Sequence, residues 1–203
     1  MSTGYLKLIL GPMFSGKTSE LIALYRRYIR SGRKVMVINY AGDTRYSATD
    51  LSTHDKQMIH CYMLNQLKDV YKTDLYKNND GKEEPILDVF KTSDVILINE
   101  GQFFDDIVDT VLEWVEDYNK QVYICGLDGD SNRNLFGKLF NLIPYADEIV
   151  KLNSICASCK DGTSAPFTKR IIDNTNGAII QIGSDEYLPV CRKCYHTDHL
   201  FAL

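Results

Sequence analysis

Short apolar runs alternate with amphipathic stretches along the first three quarters of the chain. Leu6-Lys7-Leu8-Ile9-Leu10 is a compact apolar run that predicts a buried strand. From Ser19 to Arg30 the pattern changes to helical, and Gly32 supplies the stop. Residues 34–40 (Lys-Val-Met-Val-Ile-Asn-Tyr) are short and β-branched, as are 94–100 (Asp-Val-Ile-Leu-Ile-Asn-Glu), and 121–127 read as another strand. Between the last two, Ile107, Val108, Val111, Leu112 and Val115 recur at helical spacing. Residues 148–152 add one more strand. Strands alternating with helices imply βαβ units, so the expected fold is α/β, a mainly parallel sheet with helices on both faces. The segment 72–85 is polar and broken by Asn and Gly, and reads as a mobile loop. After Asn153 the alternation ends and a cysteine-bracketed segment begins. We therefore expect a domain over residues 1–153 and a smaller one over 154–203.

A chain of 203 residues has room for one ordinary domain and a small appendage. Its 44% hydrophobic and 25% charged residues are those of a globular protein. A net charge of −4 gives no electrostatic footprint for a nucleic-acid backbone, so no nucleic-acid partner is expected. No run reaches membrane-spanning length, and the first apolar run is too short for a signal peptide. The expected compartment is the cytoplasm, with no membrane partner.

Residues 11–18 complete a G-x-x-x-x-G-K-S/T phosphate-binding loop: Gly11, Pro12, Met13, Phe14, Ser15, Gly16, Lys17, Thr18. Its flanks are the required ones, a strand before and a helix after. That arrangement aims backbone N–H groups and the positive helix end at phosphate oxygens. Lys17 adds a charge for the β- and γ-phosphates, and the Thr18 hydroxyl is a ligand for Mg²⁺. The chain is expected to bind a nucleoside triphosphate.

Such a site needs a carboxylate at the end of a neighbouring buried strand. The strand ending Asn99-Glu100-Gly101-Gln102-Phe103 has Asn99 where Asp is expected, which leaves Glu100 as the only carboxylate at this strand end. Glu100 can act as a general base toward a hydroxyl or orient water; the alternative is an exposed strand-end residue. Asn99 can face the metal's water shell or merely cap the turn into Gly101. A second acidic candidate is Asp43-Thr44-Arg45, where Asp43 could join the Mg²⁺ shell and Arg45 could meet phosphate; a polar loop competes with it.

Six cysteines divide into two C-x-x-C pairs, Cys156/Cys159 and Cys191/Cys194, and two single residues, Cys61 and Cys125. Two such knuckles match a tetrahedral Zn²⁺ thiolate site, which would be structural because it has no open position. A redox pair and four unrelated thiols are the competing readings. Residues 160–190 lie between the knuckles, so the metal would tie a functional loop at its base.

The phosphate loop, Asp-Thr-Arg-Tyr-Ser at 43–47, Glu-Gly-Gln-Phe-Phe at 100–104, Thr168-Lys169-Arg170 and the cysteine pairs occur in this order. In that combination the chain resembles the type II (cytosolic-type) thymidine kinases, from about Tyr5 to Tyr195. The resemblance implies a P-loop (RecA-like) sheet with a small zinc-bound lasso domain that closes over the nucleoside. It implies transfer of the ATP γ-phosphoryl group to the thymidine 5′-hydroxyl, with Glu100 as the base. Asp43, Thr44, Arg45, Asn99 and Gln102 join the phosphate loop as the ATP site. Met13, Phe103, Leu127 and Tyr187 become walls of the thymine pocket, with Thr168 beside the methyl group. The segment from Leu127 through Ser131 to Phe136 is placed on the substrate side, and Ile179, Ile180, Gln181, Ile182 and Gly183 read the pyrimidine edge. The family further implies dTTP as feedback inhibitor and a homotetramer. The chain departs from the family pattern at Asn99, at Ser131, where many members carry Phe, and by one residue in the 182–187 segment; these bear on nucleoside affinity and selectivity.

Two other classes of function compete. One is a P-loop ATPase whose zinc module handles DNA, against which the acidic balance counts. The other is a non-catalytic nucleotide-binding regulator, against which Lys17, Thr18 and Glu100 count.

Overall fold

The computed structural model describes residues 3–43, 50–52, 58–77, 81–171 and 186–197. Six strands form its central sheet: β1 (Tyr5–Gly11), β2 (Val35–Tyr40), β3 (Tyr62–Leu64), β4 (Val95–Ile98), β5 (Gln121–Leu127) and β6 (Glu148–Lys151). Their spatial order is β6-β1-β5-β4-β2-β3, and every neighbouring pair is parallel.

Side chains on a strand alternate between faces, so each apolar run supplies two cores. On one face Ile9, Val37, Leu97 and Cys125 pack with Leu21, Ile22 and Leu24 of helix α1 (Lys17–Arg30). On the other, Leu8, Ile38, Ile98 and Ile124 meet Ile86 and Phe90 of α2 (Ile86–Thr92) and Ile107 and Val111 of α3 (Ile107–Leu112). A π-helical turn, Glu113–Asp117, continues α3 and buries Trp114 completely. Helices therefore cover both faces, as the alternating pattern predicts. Just past α1, Gly32 takes φ 77, the left-handed conformation in which glycine ends a helix without a Cβ clash.

The pattern misses the elements too short to show a period. These are β3, a 3₁₀ turn at Leu67–Tyr71, the two-turn α2, and a 3₁₀ segment at Leu139–Tyr145. The expected loop at 72–85 is corrected on either side of residues 78–80, which lie outside the described residues: Leu75–Lys77 pairs antiparallel with Glu83–Pro85. Tyr76 turns inward onto Tyr62, ring centroids 5.8 Å apart, and that contact anchors the ladder. Lys120 was also unanticipated. It is 8% exposed, and its ammonium donates to the carbonyls of Phe90, Lys91 and Ser93 at 3.0, 3.1 and 2.6 Å, capping the end of α2.

Beyond the sheet, Ser154–Ile155 pairs with Ser164–Ala165, and Phe167–Arg170 with Tyr187–Val190, both antiparallel. A short helix, Arg192–His196, follows. Cys156, Ala165, Val190 and Cys191 form the core of this small module. Because the sheet is parallel, the loops after β1, β2, β4 and β5 gather along one edge, where ligands of open α/β sheets bind.

Candidate active site

At the end of β1 the chain turns through Pro12–Gly16 into α1. A Cβ on Gly11 would lie 2.6 Å from the Leu152 carbonyl oxygen and 2.7 Å from Ser15 Oγ, so only glycine lets the loop fold back this tightly. Gly16 takes φ 86 at the N-cap, and no side chain caps the helix. The amides of its first turn thus face the hollow of the loop. Ser15 Oγ is buried there without a hydrogen-bond partner among the described residues, a donor suited to a phosphate oxygen. Lys17, 9% exposed, reaches across the loop and donates to the Pro12 carbonyl at 2.6 Å.

The strand-end residues lie beside this loop. Asn99 is 3% exposed, and its Oδ1 accepts from the Thr18 hydroxyl at 3.5 Å and from Cys125 Sγ at 2.9 Å. Burial pushes the Cys125 thiol up to about 12, so it serves as a neutral donor. Asn99 Nδ2 donates to Asn39 Oδ1 at 2.8 Å, which fixes the orientation of the amide. Asn99 therefore faces Thr18 and does not cap the turn into Gly101. Asn39 and Cys125 were not anticipated; the signal was Asn39 itself, a polar residue inside the apolar run of β2.

Glu100 follows in the left-handed region, φ 55 and ψ 44, a conformation that costs a non-glycine residue about 1 kcal/mol or more. The turn is held by its neighbours. Gly101 packs so closely that a Cβ would lie 2.5 Å from Ile124 Cγ2. Phe103 stacks on Tyr40 at 5.0 Å and meets Phe136 edge-on at 5.3 Å, while Phe104 is fully buried. Gln102 is 3% exposed; its amide donates to Glu100 Oε2 at 2.6 Å and accepts from the Leu127 N–H at 3.1 Å.

The cysteine module closes the other side of the phosphate loop. Met13 N–H donates to Thr168 Oγ1 at 3.0 Å, and Ser154 Oγ donates to the Phe14 carbonyl at 3.0 Å. Tyr195 Oη donates to the Ser131 carbonyl at 2.7 Å, and the Arg133 guanidinium lies 4.3 Å from the Tyr195 ring centroid. The loop after β5 is thereby tied to the module as well.

Within the module, Cys156, Cys159, Cys191 and Cys194 bring their Sγ atoms to within 4.8 Å of one another. No disulfide joins any of the six cysteines. Backbone N–H groups of Cys159 and Cys191 point at Cys156 Sγ at 3.5 and 3.3 Å, and that of Cys194 points at Cys191 Sγ at 3.5 Å. Burial opposes ionisation of Cys156, yet the N–H groups of Cys159, Cys191 and Ser158, with the Cys159 thiol, outweigh it and bring the thiol down to about 6. A closed set of four sulfurs with amides donating to thiolates fits Zn²⁺.

A family model described as thymidine kinase matches residues 4–195. The chain belongs to the thymidine kinase family. It is 40% identical to the thymidine kinase of vaccinia virus (strain Ankara) over 195 residues, 96% of this chain and 98% of that relative. It is 38% identical to the cytosolic thymidine kinase of Gallus gallus over 192 residues, 95% of this chain and 77% of that relative. Thymidine kinase a of Arabidopsis thaliana is 37% identical over 198 residues, 98% of this chain and 77% of the relative. Among the described residues no helix is long and apolar enough to cross a membrane.

For this thymidine kinase family member, the residues expected from sequence fall into three groups. The structure brings the phosphate loop, Asn99 and Thr168 into direct contact, and joins Glu100, Gln102 and Leu127 in one hydrogen-bonded set. Asp43, 5% exposed, follows β2 on the same sheet edge, and Tyr187, 9% exposed, lies opposite Arg170 in the module's ladder. Thr44, Arg45, Ile179, Ile180, Gln181, Ile182 and Gly183 lie outside the described residues. Tyr195, Arg133 and Ser154, which tie the module to the site, carried no sequence motif that could have singled them out.

Proposed function

We propose that this family member is an ATP-dependent thymidine kinase that transfers the γ-phosphoryl group to the 5′-hydroxyl of thymidine, giving dTMP and ADP. The observation that carries the reading is the shared sheet edge: the phosphate loop after β1 and Glu100 after β4 meet through the 3.5 Å contact of Thr18 with Asn99. In this reading Gly11–Thr18 hold the phosphates and Lys17 swings from the Pro12 carbonyl onto them. Glu100 takes the 5′-hydroxyl proton as that oxygen attacks phosphorus. Met13, Phe103, Leu127, Phe136, Thr168 and Tyr187 wall the base, and residues 154–203 form a lasso domain beside the domain of residues 1–153. Zn²⁺ on the four cysteines fixes that domain, while Thr18 and Asp43 are the residues that hold Mg²⁺, whose charge offsets that of the phosphates. Feedback by dTTP, a homotetramer and a cytoplasmic location complete the proposal. A panel of nucleosides assayed for ATP-dependent phosphorylation tests it. Thymidine is expected to give the highest kcat/KM, and a chain that turns over no nucleoside is not a kinase.

The Thr18–Asn99–Asn39 chain gives a second prediction. An Asp at position 99 would keep the Thr18 and Cys125 hydrogen bonds on one oxygen. Asn39 can turn its amide over to donate to the other, so the buried site accepts the carboxylate. The added charge strengthens binding in the metal shell. Asn99→Asp is expected to lower the Mg²⁺ concentration for half-maximal rate and leave the thymidine KM unchanged. Superimposable Mg²⁺ titrations of the two enzymes would place residue 99 outside the metal's influence.

A further inference from the structure

Glu100 sits in the left-handed backbone region, φ 55 and ψ 44, and the reaction needs its carboxylate aimed at one hydroxyl. Gln102, two residues on, is buried, 3% exposed. Its Nε2 lies 2.6 Å from Glu100 Oε2, and its Oε1 lies 3.1 Å from the Leu127 amide nitrogen. The second contact decides the first. The Leu127 N–H can only donate, so the oxygen of the amide must face it, and the NH₂ group must face Glu100.

The pocket around that amide has no slack. A Cβ on Gly126 would lie 2.7 Å from Gln102 Oε1, and on the main-chain side a Cβ on Gly137 would lie 2.0 Å from the Gln102 backbone carbonyl oxygen. Gly137 also takes φ 64, so the close approach is built into the loop after β5. The backbone of that loop and the end of β5 thus lock Gln102, and Gln102 in turn holds one oxygen of the carboxylate. A fixed donor at 2.6 Å restrains the position of that carboxylate oxygen.

We propose that Gln102 is a positioning residue for the reaction, holding the Glu100 carboxylate in its productive orientation through an amide locked by the Leu127 N–H, and that it makes no contribution to ATP affinity. The inference rests on Glu100 being the base. It differs from the expectation that Gln102 belongs to the ATP site, and the two make opposite demands on the kinetics.

The test is a double-mutant cycle on the full-length enzyme with Glu100→Gln, Gln102→Met and the combined variant, following kcat and both KM values. Gln102→Met keeps the length of the side chain and removes its donor. Without that donor the carboxylate is expected to be misplaced by about 1 Å, which costs kcat on the order of 10²-fold. The KM values for ATP and thymidine should stay within about twofold of wild type, as for a residue that acts only on the chemical step. In the Glu100→Gln background the same change should cost nothing further, because there is no carboxylate left to position. A loss of kcat that multiplies with that of Glu100→Gln overturns the proposal, and so does a raised ATP KM with kcat retained. Should Gln102→Met fail to fold, Gln102→Glu keeps both the shape and an acceptor for the Leu127 N–H. It sets a second carboxylate against the first, so kcat is expected to fall without a change in ATP KM, and full activity overturns the proposal. Glu100→Gln alone separates the two levels: near-normal turnover in that variant removes the base assignment itself, whereas its inactivity combined with a multiplicative cycle removes only the role of Gln102.

Discussion

Glu100→Gln is expected to lower kcat on thymidine by about 10²–10⁴-fold, the usual worth of a general base, and to leave ATP binding intact. The substitution is nearly isosteric. Its amide oxygen can still accept from Gln102, and Gly101 against Ile124 and Phe103 on Tyr40 help to hold the turn. In the phosphate loop, Lys17 donates to the Pro12 carbonyl and Thr18 to Asn99. Calorimetric titration with ATP in the absence of nucleoside, beside ADP formation in its presence, measures the two quantities separately. A loss in both would mean that the variant has disturbed the loop. Near-normal turnover would mean that the 5′-hydroxyl loses its proton elsewhere.

Periodicity found the sheet strands of four residues or more and the long helix because those segments satisfy packing on their own. β1 alternates Leu8 and Ile9 between two cores, and α1 presents Leu21 and Leu24 to the sheet. β3, α2, the ladder of Leu75–Lys77 with Glu83–Pro85 and the two 3₁₀ segments show no period of their own, and their conformation is imposed from outside. Tyr76 pairs its hairpin against the core through Tyr62, and the end of α2 is completed by Lys120 from 27 to 30 residues away in sequence. The site divides in the same way. The phosphate loop and cysteine knuckles were legible because backbone geometry and metal chemistry demand fixed spacings. Asn39, Cys125, Arg133 and Tyr195 were not, because each acts through a partner that is distant in sequence. For Gln102 the family resemblance implies a place in the ATP site, and in the structure its side-chain amide lies between Glu100 and Leu127. That orientation depends on the position of one backbone N–H in a neighbouring strand, which no local pattern encodes.

Stripping zinc is expected to raise the thymidine KM by about tenfold or more while the ATP KM changes by less than about threefold, because the metal holds the nucleoside side of the site. Among the described residues the small module has a core of Cys156, Ala165, Val190 and Cys191, with Phe167, Leu188 and Tyr195 at its margin. A structural Zn²⁺, with an apparent binding free energy of about 10–16 kcal/mol in small zinc modules, offsets the ordering of its two short ladders. When the sulfurs are released, the module's contacts with the Met13 amide and the Ser131 carbonyl loosen together. The ATP side keeps Gly11 packed on Leu152 and the amides of α1, so its affinity persists. Metal analysis of protein purified under reducing conditions should give about one zinc per chain, the stoichiometry of a closed Cys₄ site. Thiol titration adds a structural check. In native protein, chelation should expose the four cysteines of the cluster, whereas Cys61 and Cys125, 2% and 1% exposed inside the main domain, stay protected. Protein without zinc, or with disulfides between the knuckles, would remove the metal from the argument. An equal rise in both KM values would show instead that the module supports the phosphate loop as much as the nucleoside, through the Thr168 and Ser154 hydrogen bonds to residues 13 and 14.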